Sequence, residues 1–146
     1  MTLLRKFFVD KVLLIDDSDT DNYIHNKYIK STEFAEHVII KNSARDALDY
    51  LINLEKNADA VPDVIFLDIN MPIINGFGFL DEFANLSLQI QNKSKVIILT
   101  TSDHPRDISQ VSDNSIVKEY LNKPLNEKNL DELKSTLNFY MKFENF

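Results

Sequence analysis

Short apolar runs alternate with longer stretches in which apolar positions recur every three or four residues, along nearly the whole chain. Residues 11–15 form the first run, ending on Asp16 and Asp17. From Ser18 to about Ser31 the chain is polar, with Tyr23, Ile24 and Tyr28 at helical spacing and Ser18 or Asp19 as a helix cap. Residues 37–40 read as a second strand. Ser43 caps a helix whose Ala44, Ala47, Leu48, Leu51 and Ile52 make one 3.6-residue stripe. Residues 53–62 are a polar connection. Val64, Ile65, Phe66 and Leu67 suit a strand buried on both faces. That strand stops at Asp68, because Pro72 forbids further ladder hydrogen bonds. Gly76 opens a helix with Phe77, Leu80, Phe83 and Ala84 inward. Residues 95–99 are a fourth strand ending on Thr100, Thr101 and Ser102. Pro105 suits the first turn of a weak, polar helix carrying Ile108 and Val111. Residues 116–121 form a fifth strand followed by Asn122, Lys123 and Pro124. A final helix over 126–142 buries Leu130, Leu133, Leu137, Tyr140 and Met141.

Five successive strand–helix units predict an α/β fold: a parallel sheet with helices on both faces. Right-handed crossovers leave few topologies, and the flavodoxin-like, doubly wound (βα)5 order 2-1-3-4-5 is the common one for five strands. The strand order then reverses between strands one and three. Ligands of such sheets bind outside the carboxyl ends of the strands, and Asp16, Asp17 and Asp68 end those two strands.

The length of 146 residues fits a single domain over 1–146, with a core of about 10–142 and short extensions at both ends. No apolar run reaches the roughly 18 residues of a membrane span, and the first ten residues lack the pattern of a signal peptide. A chain without cysteine agrees with a cytoplasmic location. The net charge of −7, with lysines scattered singly, argues against a nucleic-acid-binding face. His25, His37 and His104 have no partner at ligand spacing, which gives each a structural or surface role.

The unusual polar residues all fall on one edge of the sheet: Asp16 and Asp17, Asp68, Thr100, and Lys123 with Pro124. Carboxylates this close repel, by ~4 kcal/mol for two unit charges at 4 Å in a surface-like dielectric. A cation relieves that repulsion, and hard oxygen ligands beside an open loop favour Mg²⁺. A carboxylate, Mg²⁺, a lysine and a hydroxyl donor together form a phosphoryl-transfer kit. Asp68 would attack phosphorus, Lys123 and the cation would take up charge on its oxygens, and Thr100 would hydrogen-bond one of them. The resulting acyl phosphate adds about −1.5 to −2 in charge, enough to reorganise nearby loops.

Four segments carry a family resemblance: Leu14-Ile15-Asp16-Asp17-Ser18, Phe66-Leu67-Asp68-Ile69-Asn70-Met71-Pro72, Ile98-Leu99-Thr100-Thr101-Ser102, and Tyr120-Leu121-Asn122-Lys123-Pro124. In this order, each at a strand end, they resemble a response-regulator receiver domain of two-component signalling, over nearly the whole chain. The resemblance implies that Asp68 accepts phosphorus from a histidine kinase or histidine phosphotransfer protein. It implies Mg²⁺ held by Asp17, Asp68 and the backbone carbonyl of Asn70, with Asp16 acting through water. It further implies that Thr100 moves toward the phosphoryl group and Tyr120 rotates inward. The face of the fourth helix, fifth strand and fifth helix would thereby change for an unknown downstream protein, with homodimerisation through that face left open.

Asn70, Thr101 and Ser102 flank the phosphoryl position and are expected to tune its lifetime. Thr101 stands where receiver domains often carry alanine or glycine, which crowds that position. Before the fifth strand the family often has Gly-Ala, and this chain has Ser115, Ile116 and Val117. The aromatic tail over 139–146 is expected to extend the last helix or contact a partner.

The expected function is a signalling phosphoacceptor without an output domain, since too few residues follow Lys142 to form one. An aspartyl phosphatase of the haloacid dehalogenase kind is the rival of another class. It resembles this chain less, because its Asp-x-Asp motif follows the first strand, whereas Asn70 stands two residues after Asp68. A flavodoxin-like FMN protein fits least, for want of a Ser/Thr/Gly-rich phosphate loop after the first strand.

Overall fold

The computed structural model describes residues 6–144, with side chains through Tyr140. Five parallel strands, β1 (Val9–Ile15), β2 (Ala35–Lys41), β3 (Val64–Leu67), β4 (Lys95–Thr100) and β5 (Val117–Asn122), form one sheet in the order β2-β1-β3-β4-β5. Six helices connect or follow them: α1 (Asp19–Ser31), α2 (Ala44–Ile52), α3 (Gly76–Phe83), α4 (Leu88–Lys93), α5 (Pro105–Ser112) and α6 (Glu127–Glu144). The doubly wound order expected from the alternating pattern is the one observed.

The central strands are apolar because both faces of the sheet are covered. Their side chains alternate between two cores. Leu13, Ile15, Ile65, Leu67, Val96 and Ile98 face α2, α3, α4 and α5, where Leu48, Leu51, Phe79, Phe83, Ile90 and Val111 meet them. Val12, Leu14, Val64, Phe66, Ile97 and Leu99 face α1 and α6, against Ile29, Leu130, Leu133 and Leu137. Phe34 joins the second core and lies 6.1 Å, centroid to centroid, from Phe66.

Three local details differ from the sequence reading. First, α4 lies between α3 and β4, where no helix is predicted. Its six residues are too few to show a period; the Ser87 hydroxyl caps it, and Ile90 is its one buried residue. The predicted fourth-helix, fifth-strand, fifth-helix face is therefore α5, β5 and α6. Second, α1 turns away from its aromatic residues. Asn22, His25 and Ile29 are buried, whereas Tyr23 is 72% exposed and Ile24 and Tyr28 are also exposed. Third, Ile52 and Ala84 are exposed, and Phe77 is only half buried, so Phe79 replaces it as the inward aromatic of α3. On α6, Leu130, Leu133 and Leu137 are buried as expected and Tyr140 is half buried. The side chains from Met141 onward lie outside the described residues, while the backbone of α6 continues to Glu144, so the last helix extends into the tail.

N-terminal caps start the helices where the pattern says they should. Ser18 accepts from the Asp21 N–H and Ser43 from the Asp46 N–H. In α5 the cap is His104, whose Nδ1 accepts from the Arg106 N–H at 3.1 Å, with Pro105 directly after it. His37 and His104 are exposed and His25 is buried, so the histidines divide between surface and structural places.

Candidate functional site

The sheet delivers its polar residues to one edge because each strand ends as soon as its apolar run does. Asp16 follows β1, and its N–H donates to the Lys41 carbonyl at the end of β2. Asp68 follows β3, and its N–H donates to the Ile15 carbonyl, which holds the two acidic strand ends side by side. Lys123 follows β5, and its N–H donates to the Thr100 carbonyl at 2.9 Å. These bonds place two carboxylates and one ammonium over the point where the strand order reverses.

Lys123 is the hub. Its Nζ lies 2.6 Å from Asp16 Oδ2, 2.8 Å from Asp21 Oδ2 and 3.2 Å from Asp68 Oδ2. The side chains of Lys123, Asp16 and Asp68 are each less than a tenth exposed. Burial alone would lower the lysine's affinity for its proton. Hydrogen bonds to Asp16 and Asp21 and the charge of Asp68 more than reverse this, so its pKa stands well above the ordinary lysine value. Asp16 moves the opposite way for a carboxylate. Desolvation raises its pKa, although the hydrogen bonds from Lys123 and the Ser18 N–H pull downward.

Asp16, Asp17 and Asp68 each offer an oxygen within 4.8 Å of the others, and Asp17 faces solvent. Hard oxygen donors at this spacing, with one side open to water, fit a small divalent cation that keeps part of its hydration shell. The Asn70 N–H donates to Asp68 Oδ1 at 3.3 Å, turning the β3–α3 loop back over the carboxylate. Gly76 anchors the far end of that loop by donating its N–H to the Ile69 carbonyl at 2.8 Å. Asn70 itself is exposed.

At the end of β4, Thr100 is fully buried and its Oγ1 accepts from the Ser102 N–H at 3.3 Å. Thr101 is exposed. Tyr120 is turned toward this loop: its hydroxyl donates to the Ser102 carbonyl, which also accepts from Asn122 Nδ2 at 3.2 Å. Burial raises the Tyr120 pKa. The half-buried ring packs against the core beneath α2, α3, α4 and α5. Ser102 Oγ donates to Asp107 Oδ2 at 2.6 Å, tying the loop to the first turn of α5.

The structure thus brings Asp16, Asp17, Asp68 and Lys123 together, and sets Thr100, Ser102 and Tyr120 in a second, adjoining network. Sequence reading gave no place in this site to Asp21, Asn22, His25 or Asp107, His25 having only a structural or surface role. The first three lie on the inward face of α1, over the acidic cluster. Asn22 Nδ2 donates to the Asp16 carbonyl at 2.9 Å, and burial lowers the His25 pKa, with the Lys123 charge adding to the effect. A stripe at Ser18, Asn22, His25 and Ile29 has helical spacing and signals this face. It was hidden because three of its four members are polar.

A doubly wound sheet with an acidic cluster and a lysine at its switch point defines an Asp-centred α/β module. Residues 12–134 match the family of the response regulator receiver domain, and the chain belongs to that family. A two-component response regulator, ORR1, from Oryza sativa subsp. japonica is 29% identical over 129 residues, covering 87% of this chain and 54% of that protein. This chain therefore spans about half the length of that curated relative. Among solved structures, the two-component response regulator from Cytophaga hutchinsonii matches with a TM-score of 0.81 at 36% identity, over 92% of this chain and 99% of that one. The response regulator receiver protein from Dyadobacter fermentans matches with a TM-score of 0.79 at 28% identity, over 90% and 97% of the two chains. Among the described residues, no helix is long and apolar enough to cross a membrane.

Proposed function

We propose that this receiver domain accepts a phosphoryl group on Asp68 from a histidine kinase or histidine phosphotransfer protein, and that the modified domain is read by a downstream protein. The observation that carries this reading is the pairing of Asp68 with Lys123 at 3.2 Å beside the carboxylates of Asp16 and Asp17. Asp68 supplies the attacking oxygen. Lys123 remains charged throughout the physiological range and faces the position the phosphoryl oxygens would take. Thr100 provides a hydroxyl from the neighbouring strand end.

Asp17, Asp68 and the Asn70 carbonyl would hold Mg²⁺, with Asp16 acting through water. When bound, the cation neutralises charge on the transferring group. The domain works on itself and turns over no external substrate. A cytoplasmic location fits this role, and no nucleic acid or membrane partner is needed.

Readout would pass through the network at Ser102. A hydroxyl drawn from Thr100 toward the phosphoryl group gives up its bond from the Ser102 N–H. The Tyr120 and Asn122 contacts to the Ser102 carbonyl, and the Ser102–Asp107 bond to α5, then adjust. A groove of about 260 Å³ between α5 and β5, lined by Ile108, Val111, Lys118 and Tyr120 among others, lies on that path. Partner binding, or pairing of two copies, would use the α5–β5–α6 face. Two-dimensional amide NMR with Mg²⁺ and acetyl phosphate tests this: shifts are expected around Asp68 and on α5 and β5, and none in Asp68→Asn. Shifts confined to the Asp68 loop would contradict the relay.

Thr101 is expected to slow exchange with small donors, because a threonine next to Thr100 crowds the phosphoryl position more than alanine or glycine would. Thr101→Ala should take a phosphoryl group from acetyl phosphate several-fold faster. A rate equal to or below that of the wild type would show that this side chain is no obstacle.

A further inference from the structure

The contact between Asp21 and Lys123 joins residues 102 positions apart in the chain and lies outside the three carboxylates that could hold a cation. An ammonium has three N–H groups, and here Asp16, Asp21 and Asp68 approach it from three sides. The two closest approaches, 2.6 and 2.8 Å, go to Asp16 and Asp21 rather than to Asp68. Asp16 also belongs to the cation-binding group, so a bound cation draws its charge away from the lysine. Asp21 has no such second claim. Its own carboxylate is about a third exposed, and α1 holds it in place through the Ser18 cap on its N–H.

We propose that Asp21 is a positioning residue that competes with the phosphoryl group for Lys123. This rests on the reading of Asp68 as the phosphoacceptor. A phosphoryl group on Asp68 adds negative charge beside the ammonium, and the lysine must swing toward it from α1. Asp21 opposes that movement by direct attraction. Its charge also favours a cation in the neighbouring carboxylates. Removing the charge while keeping the shape therefore has two opposite effects: tighter binding of a phosphoryl mimic and weaker binding of Mg²⁺ alone.

The test uses the full chain, with beryllium trifluoride plus Mg²⁺ as the phosphoryl mimic and isothermal titration for both ligands. Asp21→Asn should bind the mimic, at saturating Mg²⁺, about three- to tenfold more tightly than the wild type, the size expected for a part-exposed charge-assisted contact. The same variant should bind Mg²⁺ alone about two- to fivefold more weakly. Asp21→Glu, which restores the charge, should return both affinities toward the wild type. Damage to the fold would weaken both ligands together, and a thermal melt of each variant identifies that case. If a folded Asp21→Asn binds the mimic no more tightly than the wild type, the competition does not exist. Asp68→Asn serves as the separate control. If it still binds the mimic, the phosphoacceptor reading fails, whatever Asp21 does.

Discussion

Replacing Lys123 with methionine is expected to cost the fold about 3 kcal/mol near neutral pH, because it strands carboxylates that were packed around a charge. Methionine fills most of the volume, so the loss is chiefly electrostatic. Asp16 and Asp68 are almost fully buried, and among the described residues Lys123 is the cation that both of them touch. The pH dependence has a defined sign. Lys123 titrates above its unfolded value of 10.5 in the native state, so its stabilisation is complete below that value and is lost only in strong alkali. Asp16 titrates above its unfolded value of 3.8, so the native chain takes up that proton more readily than the unfolded one. Acidification from neutrality toward 3.8 therefore favours folding at this residue. Without Lys123 the Asp16 window widens upward. The gap between variant and wild type should then shrink as the pH falls from neutrality, as followed by urea denaturation. A loss below about 1 kcal/mol, unchanged by pH, would mean that Lys123 behaves as an ordinary surface partner.

Gly76→Ala should be comparably damaging, for a steric reason. The chain has two glycines, and both sit in the first turn of α3. A Cβ on Gly76 would lie 2.7 Å from the Ile69 Cα and 2.8 Å from the Asp68 carbonyl oxygen. Both are backbone atoms of the segment that holds the phosphoacceptor candidate, so neither can step aside cheaply. The helix must retreat, stretching the Gly76–Ile69 hydrogen bond and shifting Asp68. We expect a loss of about 3 kcal/mol in urea denaturation. Gly78→Ala is the contrast. A Cβ there would meet the Ile74 Cγ2 at 2.9 Å, a side-chain rather than a backbone atom, and alanine favours the helix. That variant should be within about 1 kcal/mol of the wild type. Equal effects at the two positions would show that close approach to Ile69 is not what selects glycine at position 76.

The strands were legible because burial on both faces leaves long apolar runs, and the site was legible because each run ends on a polar residue. Asp16, Asp68, Thr100 and Lys123 could all be placed at one sheet edge from that rule alone. What stayed hidden has a common physical origin. Helix α1 packs its inward face over charges, so its buried stripe is Asn22 and His25 rather than Tyr23, Ile24 and Tyr28. A search for apolar periodicity reads that helix backwards. Asp21 escaped for the same reason: its partner comes from the far end of the chain, and no local spacing marks it. Helix α4 was missed because a single buried residue, Ile90, cannot display a period. The placing of the Tyr120 ring is a packing outcome, set by the core and the Ser102 carbonyl, and no pattern in the sequence states which way the ring turns.

At bottom, the proposed chemistry asks β1, β3 and β5 to deliver two carboxylates and an ammonium to one point, where Asp68 can form a bond to phosphorus. Intact-mass spectrometry of wild type and Asp68→Asn, each incubated with acetyl phosphate and Mg²⁺, reads this directly. One phosphoryl group should be gained by the wild type and none by the variant. Equal labelling of both proteins, or no labelling of a folded wild type by acetyl phosphate or by any phosphorylated histidine kinase supplied to it, would contradict it.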